Sequence, residues 1–196
     1  MSNILVLGVG PLPVDVCTRL HAPGMRTWQI VKLLTARRHE VCVGLIRFGD
    51  FTGTMEGRIP PHMEEAGPNI RIYNLNYHPR HSAEALATLH SQMRFTCCIS
   101  TTDIMNSVAA AIPAHLPLWL DYNGDPFAEK QLQGSLHGND ATLLKQWNLY
   151  LAGLLAGDRF STSSDPQKNA LIGHLGFAGR LNQFTAGEDL VRSEEH

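Results

Sequence analysis

Residues 121–126 hold the residue types in this chain best suited to chemistry. They place two carboxylates, an amide and a phenol at the end of a predicted strand, where such groups can hold a polyhydroxylated ligand. Ordinary local structure explains part of the set, because Asp125 before a proline is a typical helix start and Asn123-Gly124 is a typical turn. Capping does not explain Asp121, which directly follows an apolar run. Asp121 is therefore the stronger functional candidate.

A second candidate is Gly8-Val9-Gly10, which follows the first predicted strand as the dinucleotide-binding pattern G-x-G-x-x-G would. The third glycine position of that pattern holds Pro13, and the helix is predicted to open only near Gly24. The carboxylate expected at the end of the second strand is also missing, since Ile46-Arg47 stands there. The sequence therefore does not favour a nicotinamide or flavin cofactor.

The same loop leads to a predicted helix N-terminus that carries Gly24 and Arg26. Exposed backbone N–H groups beside a guanidinium suit an anionic group. The alternative is that Gly8 and Gly10 only let the chain turn and that Arg26 is a solvated surface residue. The sequence leaves both interpretations open.

The ten histidines do not predict a metal site. His78 and His81 are closely spaced, but no cysteine or carboxylate completes a ligand set beside them. Cys42, Cys97 and Cys98 lie in apolar runs and no C-x-x-C occurs, which favours reduced core thiols. A G-x-S-x-G elbow is also missing, so acyl transfer has no support.

Composition predicts one globular domain. The chain has 196 residues, 43% hydrophobic, with 16 basic and 18 acidic residues and a net charge of −2. This balance gives no electrostatic basis for nucleic-acid binding. No run approaches the roughly 18 apolar residues of a membrane helix, and the first residues supply no positive segment of a signal peptide. We therefore expect a soluble, cytoplasmic protein without a transmembrane segment.

Strands alternate with helices along the chain, and most predicted strands are continuous apolar runs. This order predicts an α/β fold: a doubly wound, Rossmann-like, mostly parallel sheet of about six to seven strands with helices on both faces. Residues 48–69 and the last twenty residues are expected to be irregular. The predicted strands are 3–8, 41–47, 70–75, 95–100, 116–120 and 159–163, and the predicted helices are 24–38, 82–93, 103–111, 126 to about 134, 139 or 140 to 156, and 165–175.

Such sheets bind ligands at the carboxyl ends of their strands. This rule directs attention to five segments, namely residues 8–24, 47–54, 100–103 with Thr101, 121–126 and 161–166. The predicted binding residues are Gly8, Gly10, Gly24, Arg26, Thr101, Asp121, Asn123 and Asp125.

Several stretches together resemble the N-terminal domain of GT-B glycosyltransferases, specifically their large retaining family. Each stretch is weak alone, and their order and spacing carry the resemblance over residues 3–182. The matching stretches are the strand 4–7, Pro23-Gly24-Met25-Arg26, Trp28-Gln29-Ile30, Arg38-His39-Glu40-Val41, residues 118–125 (L-W-L-D-Y-N-G-D), residues 158–164 (D-R-F-S-T-S-S) and residues 167–173 (Q-K-N-A-L-I-G).

The resemblance implies an acceptor-side domain over residues 3–182, followed by a tail or the start of an interdomain linker over 183–196. The partners it implies are a sugar nucleotide, a carbohydrate or other acceptor, and a C-terminal GT-B domain that holds most of the donor. No cofactor is implied beyond the donor as substrate. The loop with Gly8, Gly10 and Arg26 would approach the donor diphosphate, and His21 is a weak candidate for a general base.

Three other functions stay open at this stage. The chain can be a stand-alone Rossmann-like module that binds a nucleotide or a sugar phosphate. It can also be a redox enzyme with an unusual dinucleotide loop, or a partner-binding scaffold without a ligand. The sequence does not name the sugar, the acceptor or the stereochemical outcome.

Overall fold

A computed structural model describes residues 2–15, 20–47, 61–75 and 79–194. Within these residues strands and helices alternate for most of the chain. The strands are β1 Asn3–Gly10, β2 Glu40–Arg47, β3 His62–Gly67, β4 Ile70–Leu75, β5 Cys97–Ser100, β6 Leu118–Tyr122, β7 Arg159–Thr162 and β8 Val191–Ser193. The helices are α1 Ala22–Ala36, α2 Pro79–Met93, α3 Asp103–Ala110, α4 Pro126–His137, α5 Ala141–Ala156 and α6 Asp165–Phe177.

The strands form one sheet in the order β3-β4-β2-β1-β5-β6-β7-β8. Every neighbouring pair is parallel except β3 with β4, which is antiparallel. The order runs outward from β1 through β2 on one side and from β5 through β8 on the other, so the direction of winding changes between β1 and β5. The prediction of a doubly wound sheet is confirmed, with eight strands in the described residues rather than six or seven.

Helices cover both faces of the sheet. Helix α1 packs its Val31, Trp28 and Leu34 on one face, against β1, β2 and β4. Helices α2, α3, α5 and α6 pack on the other face and build the larger core with the buried side of β5, β6 and β7. Because successive residues of a strand point to opposite faces, Asp121 belongs to the face of α1 and Tyr122 to the opposite face.

Two segments that the sequence predicted to be irregular contain strands. Residues 62–67 pair with β4 as the antiparallel edge strand β3, while residues 48–60 lie outside the described residues. The sequence of this strand, H-M-E-E-A-G, is mostly polar and its residues are largely exposed. An exposed edge strand lacks the alternation of apolar and polar residues by which a half-buried strand is predicted. In the tail, β8 pairs in parallel with β7, and its Val191 and the preceding Leu190 are buried. Three residues are too few to show a periodic pattern.

Several helix ends agree with the sequence and others differ. Helix α4 begins at Pro126 with Asp125 as its N-cap, as predicted. Helix α1 begins at Ala22 rather than Gly24, and α2 begins before Ser82, which is buried inside the helix and does not cap it. Gly157 ends α5 in an extended conformation, φ −67°, rather than a left-handed one. It is a glycine for another reason: a Cβ there would lie 2.6 Å from the ring of Phe160.

Among the residues that the structure describes, none of the helices is both long and apolar enough to cross a membrane.

Candidate binding site at the carboxyl edge of the sheet

Arg26 and Asp121, predicted separately as binding residues, contact each other directly. Arg26 lies in the first turns of α1, and Asp121 is the fourth residue of β6. The guanidinium Nε donates to Asp121 Oδ2 at 2.8 Å, and Nη2 donates to Asp121 Oδ1 at 2.8 Å. Arg26 is only 9% exposed and Asp121 is fully buried. This bidentate pair ties the start of α1 to the strand two positions away from β1 in the sheet.

Two more side chains complete the ion pair, and we call Arg26, Asp121, Ser161 and Glu194 the Arg26 cluster. Ser161 Oγ on β7 donates to Asp121 Oδ1 at 2.5 Å and accepts from Trp119 Nε1 at 3.0 Å. Glu194, directly after β8, accepts a hydrogen bond from Arg26 Nη1. The cluster therefore joins α1, β6 and the residue after β8 through charged groups, and β7 through the hydroxyl of Ser161.

The electrostatics of Arg26 follow from these partners. Hydrogen bonding to Asp121 raises the pKa of Arg26 above its usual range, and this outweighs the opposing effect of burial. Two carboxylates surround one guanidinium, so the cluster carries a formal charge of −1. Arg26 is thus neither a solvated surface residue nor an open anion site. Its N–H groups already serve carboxylates of the chain.

The loop between β1 and α1 is held by His21. Its Nδ1 accepts the N–H of Gly24 at 3.2 Å as the N-cap of α1, and its Nε2 lies 2.7 Å from the carbonyl oxygen of Gly10. Since Nδ1 accepts, Nε2 must carry the proton and donate. Both ring nitrogens are therefore engaged inside the chain in this arrangement. The role of His21 as a general base stays a prediction, and the contacts by themselves describe a helix cap.

Gly8, Gly24 and Thr101 allow α1 to approach the sheet closely. A Cβ on Gly24 would lie 2.0 Å from the carbonyl oxygen of Pro11, and one on Gly8 would lie 2.3 Å from the side chain of Thr27. Thr27 Oγ1 in turn lies 2.9 Å from Thr101 Oγ1, which also donates to the carbonyl oxygen of Leu7 at 3.1 Å. This packing occurs at the carboxyl ends of the neighbouring strands β1 and β5, where the direction of winding changes.

Asn123 and Asp125 lie in the loop that leaves β6, and both are exposed. Asp125 Oδ1 accepts from the N–H groups of Phe127 and Ala128 at 3.0 and 3.2 Å. Its Oδ2 has no hydrogen-bond partner among the described residues. Asn123 Oδ1 accepts from Ser163 Oγ, which joins this loop to the end of β7. Of the eight predicted binding residues, these two are exposed and the other six are buried.

A cavity of about 180 Å³ opens beside this loop, on the face of the sheet opposite the Arg26 cluster. It lies at the carboxyl ends of β6 and β7, between α4, α5 and α6. We call it the β6–β7 cavity. Its lining residues are Tyr122, Gly124, Asp125, Pro126, Tyr150, Thr162, Pro166, Gln167, Ala170, Leu171 and His174.

Aromatic side chains build one wall of the β6–β7 cavity. Tyr150 Oη lies 3.1 Å from His174 Nδ1, and the two rings meet edge to face with centroids 5.4 Å apart. Phe127 contacts both rings edge to face, at 5.0 Å from Tyr150 and 5.8 Å from His174. Burial raises the pKa of Tyr150, so its hydroxyl stays protonated at neutral pH. Phe127 therefore packs against both rings of the Tyr150–His174 pair.

A separate ion-pair network lies at the end of β2. Arg47 Nη2 donates to Asp15 Oδ1 and to Glu64 Oε1, both at 2.8 Å, and Arg47 also contacts Asn74. The hydrogen bond from Asn74 to Glu64 lowers the pKa of this carboxyl, and Arg47 adds to the effect. The network joins β2, β3 and β4 near the loop that follows β1.

Metal binding finds no support within the described residues, where no group of three or more histidines, cysteines, aspartates or glutamates is close enough to hold an ion. His81 lies in α2, whereas His78 is outside the described residues. Cys42, Cys97 and Cys98 are free thiols, and Cys17 is also outside the described part of the chain.

The sequence did not predict Glu194 of the Arg26 cluster or the residues of α5 and α6 that line the β6–β7 cavity. Glu194 is 168 positions from Arg26 and lies in a segment predicted to be irregular, so no local pattern marks it. Tyr150 lies on α5, and Gln167 and His174 lie on α6. Only the folded chain brings them to the loop with Asp125.

Comparison with known proteins adds the fold relationship. No family model matches the chain, and no curated protein matches it. Among solved structures the chain is similar to sucrose-phosphate synthase from Thermosynechococcus elongatus, with a TM-score of 0.61 at 14% sequence identity. The chain therefore shares its Rossmann-like α/β fold with part of that protein.

The likeness covers 89% of this chain and 45% of the synthase chain, so this chain spans less than half the length of that protein. At 14% identity it shows the fold alone. Membership of the retaining family and the roles of individual residues stay predictions.

Proposed function

We propose that this chain is the acceptor-side half of a nucleotide-sugar-dependent glycosyltransferase. In this role it contributes acceptor binding and one wall of a cleft, and a second Rossmann-like domain holds most of the sugar nucleotide. The observation that carries the proposal is the structural similarity to the enzyme named sucrose-phosphate synthase. It extends over 89% of this chain and 45% of the synthase chain. Less than half of that protein thus corresponds to nearly the whole of this chain.

The arrangement at the carboxyl edge supports the proposal. Ligands of open α/β sheets bind outside the carboxyl ends of the strands, near the change in winding direction. The loops after β1, β5 and β6 meet at this edge, and the predicted binding residues lie in or beside them. We assign acceptor contact to Asn123 and Asp125, which are exposed. Their free oxygen and amide atoms are hydrogen-bonding groups suited to hydroxyls.

The six buried residues hold the frame of the proposed site. Gly8, Gly24 and Thr101 set the distance between α1 and the sheet, and Arg26 with Asp121 fixes the start of α1 against β6. Because Arg26 already pairs with two carboxylates, a donor diphosphate would have to displace Glu194 to reach it. This competition predicts weak donor binding by the chain alone, in the millimolar range or worse.

The test is a chemical-shift titration of the ¹⁵N-labelled chain with three groups of ligands. The first group is neutral and phosphorylated mono- and disaccharides, the second is uridine, guanosine and adenosine diphosphate sugars, and the third is the free nucleotides. Saccharides should shift amides of the loops that follow β1 and β6, and the diphosphate sugars should bind no more tightly than millimolar. Amides at the amino edge, such as those of Asn3 and Thr96, serve as internal controls.

Two results would contradict the proposal. If no saccharide or saccharide phosphate shifts any amide at the carboxyl edge, acceptor binding is wrong. If a nucleotide or nucleotide sugar binds with a micromolar dissociation constant, the chain carries a complete nucleotide site. It would then be a stand-alone nucleotide-binding module rather than half of a transferase.

A further inference from the structure

The size of the β6–β7 cavity limits what it can hold. Its volume of about 180 Å³ is well below the 300–1,000 Å³ typical of pockets for drug-sized ligands. Apolar cavities of about 150 Å³ accept a benzene molecule. The cavity therefore suits one six-membered ring rather than a two-ring ligand.

Three polar atoms on its rim have no partner among the described residues. Asp125 uses only Oδ1 for the cap of α4, which leaves Oδ2. Gln167 uses Oε1 to accept from Ser163 N at 3.1 Å, which leaves the amide Nε2. His174 uses Nδ1 with Tyr150, which leaves Nε2. The rim thus offers a carboxylate acceptor, an amide donor and an imidazole nitrogen, and each side chain is fixed by its other bond.

The wall and the rim distinguish between kinds of ring. A nucleobase binds best to an exposed aromatic face or between parallel faces, whereas the rings here meet at 66°, 72° and 88° and pack edge to face. They offer no parallel slot. A pyranose has an apolar ring body with hydroxyls around its edge, and a carboxylate is an acceptor-only group that can take hydrogen bonds from such hydroxyls. An apolar wall with a few polar groups at the rim matches this pattern.

We propose that the β6–β7 cavity binds a single pyranose ring, with Asp125 and Gln167 holding its hydroxyls and the Tyr150–His174 pair forming the apolar wall. The proposal rests on the proposed function, because the ring it binds is one of the acceptor's. It places the specificity-determining contacts in the loop before α4 and on α5 and α6, away from the Arg26 cluster on the opposite face of the sheet.

A blocking variant tests the cavity directly. Ala170 lines the mouth of the cavity and is exposed on α6, so Ala170→Trp should fill the mouth without removing a core side chain. Asn169→Trp is the matched control, since Asn169 is exposed on the same helix and does not line the cavity. Both variants should melt at the wild-type temperature.

A second variant tests the rim without blocking it. Asp125→Asn retains a good N-cap residue but replaces the free carboxylate oxygen with an amide. Loss of one hydrogen bond to a charged acceptor should weaken ring binding by about tenfold or more. Helix α4 should persist, as judged by unchanged amide shifts beyond the first turn.

The probes are methyl α- and β-pyranosides of glucose, mannose and galactose, with uridine and adenosine as the competing ring type. At least one pyranoside should give saturable shifts at Gly124, Thr162 and Ala170. Ala170→Trp should abolish these shifts, whereas Asn169→Trp should leave the dissociation constant within about twofold. The nucleosides should give no shift at these amides.

The outcomes separate this proposal from the proposed function. Saccharide binding at the carboxyl edge that Ala170→Trp leaves unchanged overturns the cavity assignment alone. Nucleoside binding in the cavity overturns the pyranose assignment. If no saccharide binds anywhere, both proposals fail together, and the saccharide titration of the unmodified chain reveals that before any variant is made.

Discussion

Replacing Asp121 with asparagine should be among the most damaging single changes of charge in the Arg26 cluster. The change keeps the size of the side chain but leaves Arg26, whose side chain is 10% exposed, without its fully buried partner. Removing one partner from a buried ion pair costs about 3–5 kcal/mol, because the other charge stays buried and uncompensated. Asparagine retains one acceptor, and Glu194 remains as a 52% exposed partner. We therefore expect a loss of about 3 kcal/mol, at the lower end of that range.

The measurement is thermal and urea unfolding followed by circular dichroism. For a chain of this size, 1 kcal/mol corresponds to a shift of about 2–4 °C in the melting temperature, so Asp121→Asn should melt about 6–12 °C below the wild type. Asp189→Asn is the control, because it breaks the pair with Arg192, whose side chain is 68% exposed. That exposed pair should contribute less than about 1 kcal/mol.

A double variant checks the reason for the loss rather than its size. Arg26→Met with Asp121→Leu removes both charges together and replaces them with apolar side chains. If an uncompensated buried charge causes the loss, this double variant should be more stable than Asp121→Asn. The reasoning would be refuted by a double variant that is less stable, or by a loss below about 1 kcal/mol in Asp121→Asn.

Three further predictions follow from other described contacts. Gly24→Ala should lose about 1–3 kcal/mol in thermal unfolding, because its Cβ meets the carbonyl of Pro11 at 2.0 Å, whereas Gly173→Ala in the open should gain about 0.5–1 kcal/mol. A hydrogen bond from Asn74 lowers the pKa of Glu64 below the usual 4.5. The ionised Glu64 therefore stabilises the fold above pH 4.5, and this stabilisation is lost as the pH falls. The difference in the free energy of unfolding between wild type and Glu64→Gln should accordingly shrink on acidification. Burial raises the pKa of Cys42 to about 12, so iodoacetamide should label it only after unfolding, as peptide mass spectrometry can check.

The sequence predicts the parallel part of the fold well because buried strands leave a strong signal. The continuous apolar runs of β1 and β2 and the N-cap Asp125 are local features, and each was found where it was expected. The edge strands β3 and β8 were missed since one is polar and the other has three residues. No local pattern distinguishes such edges from loops.

The location of the site stays a prediction, whereas the contacts of the candidate residues could not be predicted from the sequence. The carboxyl-edge rule directed attention to the loop before α1 and to residues 121–126. That Arg26 and Asp121 form an ion pair depends on where the start of α1 lies relative to β6. No local sequence pattern encodes that placement, because the partners are 95 positions apart. The same holds for Tyr150 on α5 and His174 on α6, which are 24 positions apart.

The predicted binding residues divide by burial into six buried residues, which hold the structure of the site, and two exposed residues, which are free to contact a ligand. A buried charge that is already paired can bind a ligand only by releasing its partner, and Arg26 would have to give up Glu194 or Asp121 to do so. An exposed carboxylate with one unused oxygen, such as Asp125, has no such competitor among the described residues. We therefore expect the first ligand contacts at the carboxyl edge to come from the loop after β6. The Arg26 cluster holds the start of α1 in position against β6. Variants of the exposed residues Asn123 and Asp125 should change affinity at constant stability, and variants of the buried Arg26 and Asp121 should change stability first.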